Sequence, residues 1–145
     1  MQVNASTVPT GDVKGRFKIL LSAYSCEPNR GSEPGVGWNM VQQISRFHEV
    51  WVFTKVVHRA PIEAEIAKNP MPNVHWVFVD VPKASKPIAK RSTRIHYYLW
   101  QIAAYQEAKR QHASINFDIA HHVTYVSYWT PSFISFLPIP FVWGP

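Results

Sequence analysis

Five short apolar runs alternate with segments whose apolar residues recur at helical spacing, and this alternation limits the chain to few folds. The apolar runs predict strands over residues 17–23, 49–54, 73–81, 117–123 and 140–144. Between them the spacing predicts helices over 36–47, 61–69, 92–114 and 127–136, and the sequence contains no internal repeat. Strands that alternate with helices of this length are typical of an α/β fold with a doubly wound parallel sheet.

Two of these segments give more detailed expectations. The third run, 74–79, is apolar except for one histidine, which is typical of a strand buried on both faces of a parallel sheet. The long helix should begin after Ser92, a good N-cap residue. Its predicted inward stripe consists of Ile95, Tyr98, Leu99, Ile102 and Ala103, and the aromatic residues off that stripe are Tyr97, Trp100 and Tyr105. We expect those three to be covered by another segment or offered to a partner.

Length and composition allow one domain with a single core, because the chain has 145 residues of which 46% are hydrophobic. We expect a flexible tail over residues 1–15 and a folded domain over residues 16–145. The single cysteine, Cys26, cannot form an internal disulfide, which fits a reducing compartment such as the cytoplasm. Residues 1–15 do not have the pattern of a secretory signal, and no apolar stretch is long enough to cross a bilayer.

The first predicted strand leads into a glycine-containing loop with the sequence CEPNRGSEPGVGW, residues 26–38. In parallel sheets, ligands bind beyond the carboxyl ends of the strands, where helix N-termini present unpaired N–H groups. Gly31, Gly35 and Gly37 would allow a ligand to approach the backbone closely and would tolerate positive φ, or they would simply form a turn. Their spacing matches neither GxGxxG nor GxxxxGK[ST], so a dinucleotide-dependent oxidoreductase is only a distant alternative.

The loop at residues 26–38 resembles the first loop of family 4 (GT4) retaining glycosyltransferases, which have the GT-B fold. The resemblance covers residues 17–145 and is strongest at 22–38 and 117–145. It implies that the chain is the Rossmann-like, acceptor-side N-terminal half of such an enzyme, whose C-terminal donor domain is absent here. It further implies transfer of a sugar, with retention, from a nucleotide-sugar donor to a glycan or lipid-linked acceptor. The resemblance implies no tightly bound cofactor or catalytic metal, and this half alone should be inactive.

The same resemblance supplies expectations for individual residues. It implies that Gly31, Ser32, Glu33 and Gly35 lie opposite the donor phosphates. In GT4 enzymes a histidine follows the aspartate of the fourth strand, and the spacing from Asp118 to His121 fits that pattern, whereas Val123 stands where some members carry another histidine. The sequence contains no Asp-X-Asp motif, so we predict no metal site.

Two histidines close the fourth predicted strand, at the same sheet edge as the glycine-containing loop. Adjacent strand residues point to opposite faces, so His121 and His122 should not share one metal ion, and which of them faces the cleft stays open. We predict His122 as the catalytic residue and His121, Thr124 and Tyr125 as substrate-binding residues, because hydroxyls and aromatic faces suit sugars. The simpler interpretation of each residue is ordinary packing or a surface loop.

Residues 82–94 carry five cations and no acidic residue: Lys83, Lys86, Lys90, Arg91 and Arg94. Together with the net charge of +6, this favours a negatively charged partner. The segment precedes an aromatic helix and resembles the surface with which many GT4 enzymes dock on anionic lipid, at the inner face of the membrane. The alternative function is therefore a non-enzymatic module that binds an anionic membrane or nucleic acid, although we do not expect nucleic acid. A solvated loop is the simplest interpretation.

Overall fold

The computed structural model describes residues 15–127 and 129–145, so the predicted tail lies outside the described residues except for residue 15. The strands are β1 (Lys18–Ser22), β2 (Glu49–Lys55), β3 (Val74–Val79), β4 (Ile119–His122) and β5 (Phe141–Trp143). They pair in parallel, in the order β3-β2-β1-β4-β5. The predicted α/β fold with a Rossmann-like, doubly wound parallel sheet is therefore confirmed.

The helices α1 (Ser32–Ile44), α2 (Arg59–Lys68), α3 (Lys86–Ala89) and α4 (Thr93–Ile115) connect these strands. Short 3₁₀ turns form at Val56–His58, Lys83–Ser85 and Phe133–Phe136. The buried side chains form two clusters. Leu20 and Phe53 pack with Trp100 of α4, whereas Leu21 and Val52 belong to the cluster that includes residues of α1 and α2. Helices therefore bury apolar residues on both faces of the sheet.

Helix α1 begins at Ser32, four residues before the predicted start near residue 36. Pro34 fits the first turn, where its missing N–H would have no helical partner in any case. The prediction was wrong because glycine disfavours helix interiors, whereas here close packing requires it. A Cβ on Gly35 would overlap the carbonyl oxygen of Arg30, and a Cβ on Gly37 would overlap that of Ser25.

The buried face of α4 is not the predicted one. The residues that α4 buries are Tyr97, Trp100, Gln101, Ala104 and Ala108. Ile95, Tyr98 and Ile102 of the predicted stripe are exposed. Both stripes have helical spacing, so periodicity could not choose between them. Small Ala104 and Ala108 allow close approach to the sheet, and the Trp100 indole N–H donates to the Val79 carbonyl over 3.1 Å.

Three further predictions need correction. Strand β3 lies at the edge of the sheet and only Val79 of its residues is buried, so the prediction of two buried faces was wrong. The predicted helix over 127–136 is reduced to the 3₁₀ turn at Phe133–Phe136. The predicted basic loop contains a 3₁₀ turn and helix α3, which Pro87 suits as a first-turn residue.

Ser92 caps α4 as predicted, because its hydroxyl accepts the N–H of Arg94 over 3.2 Å. Among the described helices, none has the length and hydropathy needed to cross a bilayer.

We predict that Trp100→Ala destabilises the fold far more than Ile102→Ala. Trp100 is 0% exposed, and the loss of a buried tryptophan costs about 3–5 kcal/mol. Ile102 is 42% exposed, so its truncation should cost less than about 1 kcal/mol. The free energy of unfolding, measured by urea denaturation of both variants, checks this assignment of the α4 faces. Equal losses would contradict it.

Candidate functional site at the carboxyl edge of the sheet

The loops that follow β1 and β4 meet at the carboxyl edge of the sheet. The two strands are neighbours, and Ser22 at the end of β1 pairs with His122 at the end of β4. Beyond them, the backbone N–H of Tyr125 donates to the Glu33 carboxylate over 3.1 Å. A groove of about 530 Å³ lies between the loops, lined by Ser25, Ser32, Glu33, Pro34, Tyr125, Val126 and Ser127. We call this the edge groove.

The edge groove is bordered by residues with an unusual backbone conformation. Ser32 has φ of 55° and Tyr125 has φ of 60°, in the left-handed region that non-glycine residues seldom adopt. Gly31, the loop residue that directly precedes Ser32, has an ordinary φ of −85°. None of Gly31, Gly35 and Gly37 uses the positive φ that glycine tolerates. Left-handed non-glycine residues cost about 1–3 kcal/mol each and are concentrated at functional sites, and here two of them line one groove.

The N-terminus of α1 contributes backbone donors to this groove. No side chain of the described residues caps it, and the N–H groups of Ser32 and Glu33 lie in the first turn, where a helix provides no acceptor. Such donors bind anions well. Gly31 is exposed beside them, with nothing within 4 Å of an added Cβ. Gly35 is buried instead, and its Cα faces the backbone of Arg30, so it shapes the helix entry and does not line the groove.

The predicted catalytic residue, His122, lies inside the protein. Its side chain is 2% exposed, and its ring nitrogens bond to the hydroxyls of Tyr97, at 3.1 Å, and Ser132, at 2.8 Å. Burial lowers the pKa of His122 from 6.5 to about 4, so the ring is neutral at pH 7. A neutral imidazole has one donor and one acceptor nitrogen, and both are occupied here. To act as a base, His122 would have to exchange one of these partners for substrate.

His121 and Thr124 are also buried and do not line the groove. The His121 ring, on the other face of the sheet, bonds through Nε2 to the carbonyl oxygen of Gly144 at 2.6 Å. The opposite orientation of the two histidines thus agrees with the sequence prediction, but neither is among the residues that line the edge groove. Thr124 is 0% exposed, and its hydroxyl accepts the N–H of Ser25 over 3.1 Å. This hydrogen bond between Ser25 and Thr124 connects the loop after β1 to the loop after β4.

A polar network that the sequence did not reveal stabilises the β1–α1 loop. The Glu27 carboxylate accepts from Arg30 Nε at 2.8 Å and bonds to His58 Nδ1 at 3.0 Å. The hydrogen bond from Arg30 is the first cause that lowers the pKa of Glu27, so the carboxylate stays ionised. Burial lowers the pKa of His58, whose Nε2 has no partner within the described part of the chain. The separation of Glu27 and Arg30 by three residues was a weak signal, but His58, 31 residues from Glu27, gave none.

Two other kinds of site have little support. Cys26 is 0% exposed, and burial raises the pKa of its thiol to about 12, so it is not a thiolate nucleophile at neutral pH. Within residues 15–127 and 129–145, no three His, Cys, Asp or Glu side chains are grouped to hold a metal ion. Metal-independent chemistry stays a prediction from the resemblance.

We predict that Gly37→Ala destabilises the protein and that Gly31→Ala does not. The added methyl group at position 37 overlaps the Ser25 carbonyl and lies 3.2 Å from Thr124 Cγ2, and such overpacking typically costs about 1–3 kcal/mol. At position 31 the methyl group meets nothing within 4 Å. Thermal unfolding of the two variants compares them directly. A lower Tm for Gly31→Ala than for Gly37→Ala would contradict this packing.

We predict that acid destabilises the fold through His122. Because its pKa falls from 6.5 unfolded to about 4 folded, protonation favours the unfolded chain. The full stability is present above pH 6.5, and about 3 kcal/mol is lost as the pH falls towards 4. Urea denaturation between pH 7 and 4.5 measures this slope. The His122→Asn variant, although less stable at pH 7, should have a flatter slope; an unchanged slope would exclude His122 as its source.

Comparison with known proteins provides no family for this arrangement. No family model matches the chain, and no curated protein sequence matches it. The edge groove and the motif at residues 26–38 are therefore the basis on which a function can be assigned.

Proposed function

We propose that this domain is the acceptor-side half of a retaining GT-B glycosyltransferase of family 4. One observation carries the proposal: the β1–α1 and β4–β5 connections meet at the carboxyl edge, joined by the Tyr125–Glu33 hydrogen bond of 3.1 Å. Ligands of open parallel sheets bind at this edge, beside the point where strand order reverses. Here the order reverses at β1, since β2 and β4 lie on its two sides.

The edge groove has the chemistry that a sugar acceptor requires. Sugar hydroxyls both donate and accept hydrogen bonds, so they need a mixture of donors and acceptors around them. The groove offers the Glu33 carboxylate, the hydroxyls of Ser32 and Ser127, and the ring of Tyr125 as a stacking surface. The uncapped N–H groups at the start of α1 suit the phosphates of a nucleotide-sugar donor held by a second domain.

The proposal predicts weak, localised sugar binding by this chain. In ¹⁵N NMR titrations, oligosaccharides should shift the amide signals of Ser32, Glu33 and Tyr125. The Glu33→Gln variant, which loses the carboxylate but keeps the shape, should weaken these shifts several-fold, because charge-assisted bonds to hydroxyls are about twice as strong as neutral ones. Glu49→Gln is the matched control, since Glu49 begins β2 at the amino edge.

Two results would contradict the proposal. Shifts confined to the separate groove at the ends of α1 and α2, which is about 340 Å³ and is lined by Trp38, Glu65 and Asn73, would assign sugar binding elsewhere. Tight binding of a nucleotide sugar by this chain alone, measured by isothermal titration, would be inconsistent with a donor site on a second domain.

A second candidate function, docking on an anionic membrane, is favoured by one observation. The exposed side chains Ile88 and Ile95 are close in sequence to the exposed cations Lys90, Arg91 and Arg94. Apolar residues flanked by cations suit the interface of an anionic bilayer, where each cation contributes about 1 kcal/mol. Lys86 contributes less to this surface because it pairs with Asp80 at 2.6 Å. A cytoplasmic, peripheral location belongs to this second proposal.

Vesicle flotation tests the docking proposal. The chain should float with phosphatidylcholine vesicles that contain phosphatidylserine and remain in solution with phosphatidylcholine alone. Lys90→Glu/Arg91→Glu should abolish flotation, whereas Arg46→Glu/Lys68→Glu changes the net charge equally at a distant surface and should not. If both double variants weaken flotation equally, attraction by net charge replaces a defined docking surface.

A further inference from the structure

A second pocket at the carboxyl edge is lined by residues that the proposed sugar site does not use. It is about 300 Å³ in volume and is lined by Tyr24, Lys55, Val57, Ala89, Lys90, Ser92, Thr93 and His96. Tyr24 follows β1, Lys55 ends β2, and the start of α4 completes the wall. We call this the lysine pocket. Three separate segments of the chain, at residues 24, 55–57 and 89–96, therefore contribute to one cavity.

The lysine pocket contains a cation, Lys55, for which the part of the chain that the structure describes provides no paired carboxylate. Lys55 Nζ lies 4.2 Å from the centre of the Tyr24 ring, and within the described residues no carboxylate forms an ion pair with it. Burial is the main cause that lowers its pKa, since the ammonium has lost part of its hydration. Lys90, exposed on the other side of the pocket, adds a second positive charge. A partly desolvated ammonium in a cavity is stabilised by a bound anion.

The remaining walls provide hydrogen-bond donors. The 23-residue helix α4 begins here, so the positive end of its dipole and the Thr93 hydroxyl lie at the pocket. The His96 Nδ1 bonds to the Tyr24 hydroxyl at 2.8 Å. In the tautomer where Tyr24 donates, Nε2 carries the ring proton and is a further donor. Cations and donors from several directions are the arrangement that phosphate oxygens prefer.

The acidic residues near the lysine pocket are engaged elsewhere. Asp80, the carboxylate of the adjoining smaller cavity, pairs with Lys86 at 2.6 Å and accepts the N–H of Val81. Glu27 acts on Lys55 only at longer range, and its two oxygens bond to Arg30 and His58. Neither carboxylate is among the residues that line the pocket.

We propose that the lysine pocket binds a phosphate group carried by the acceptor. The inference rests on the proposed function and narrows it to phosphorylated acceptors. The lysine pocket and the edge groove adjoin, because the rings of Tyr24 and Tyr125 contact each other with centroids 4.8 Å apart. One acceptor can therefore place its phosphate on the lysine side of this aromatic pair and its sugar ring on the other. The phosphate belongs either to a soluble sugar phosphate or to a lipid headgroup.

The test uses inorganic phosphate and glucose 1-phosphate, titrated into the ¹⁵N-labelled chain. Both should shift the amides of Thr93 and His96, and glucose 1-phosphate should also shift those of Ser32 and Tyr125. Lys55→Met and Lys90→Met should each weaken phosphate binding about tenfold, as expected for the loss of one charge-assisted contact. Lys83→Met is the matched control, because Lys83 is an exposed lysine of the same basic segment that does not line the pocket.

Vesicles of phosphatidylcholine with phosphatidic acid separate the two sources of phosphate. Flotation that depends on Lys55 and Lys90 but not on Lys83 would indicate a lipid-borne phosphate, because Lys55 lines the pocket and is not part of the exposed basic surface. Binding of glucose 1-phosphate without flotation would indicate a soluble acceptor. Lys90 is exposed, so its substitution leaves the fold intact even if Lys55→Met unfolds the chain.

The proposal is overturned if Lys83→Met weakens phosphate binding as much as Lys90→Met, or if phosphate shifts no amide of the pocket. The proposed function fails separately. Oligosaccharides that shift Ser32 and Tyr125 without any phosphate binding would leave the sugar site standing alone. Phosphate binding without sugar binding would leave the pocket but remove its acceptor.

Discussion

The parallel pairing of β1 with β2 on one side and β4 on the other is the constraint on which the rest of this structure depends. Ser22 pairs with both Phe53 and His122, so three strands end side by side. Because the strands are parallel, the segments that follow them all emerge at one edge. The edge groove depends on this pairing because the segments that follow β1 and β4 form it together with the start of α1. The lysine pocket depends on it because Tyr24, after β1, and Lys55, at the end of β2, meet the start of α4 there.

Specific polar contacts, and not regular structure, stabilise the loops at this edge. His122 joins β4 to α4 through Tyr97 and to a later loop through Ser132, and Thr124 joins the β1 and β4 loops through Ser25. Buried polar groups need such partners, because an unmade hydrogen bond inside a protein costs about 1–3 kcal/mol. His122, the predicted catalytic residue, therefore stabilises the loops at this edge through its hydrogen bonds to Tyr97 and Ser132.

Charge divides the edge into two chemically different halves. Glu33 lies in the edge groove among hydroxyl groups, whereas Lys55 and Lys90 lie in the neighbouring pocket at the start of α4. The rings of Tyr24 and Tyr125 lie between them. A carboxylate among hydroxyls suits neutral sugars, and unpaired ammonium groups suit anions. The two halves together favour an acceptor with both a sugar and a phosphate.

The sequence by itself determined the fold class, the order and approximate bounds of the strands, and the N-cap of α4 at Ser92. These follow from local patterns of polarity and turn residues, which a single chain reveals directly. It also indicated that Ser32, Glu33 and Tyr125 belong to one edge, because the carboxyl ends of all strands of a parallel sheet lie at the same edge.

Only the tertiary structure decided which helix face is buried, where α1 begins and which predicted site residues line the groove. Helix α4 buries Trp100 and exposes Ile102, although both belong to apolar stripes with helical spacing. The two stripes differ only in how well they pack against the sheet. Gly37 lies inside a helix because the Ser25 backbone leaves no room for a side chain. Lys55, His58 and Lys90 are distant in sequence from the loop they adjoin, so their grouping depends on strand order, which local patterns do not encode.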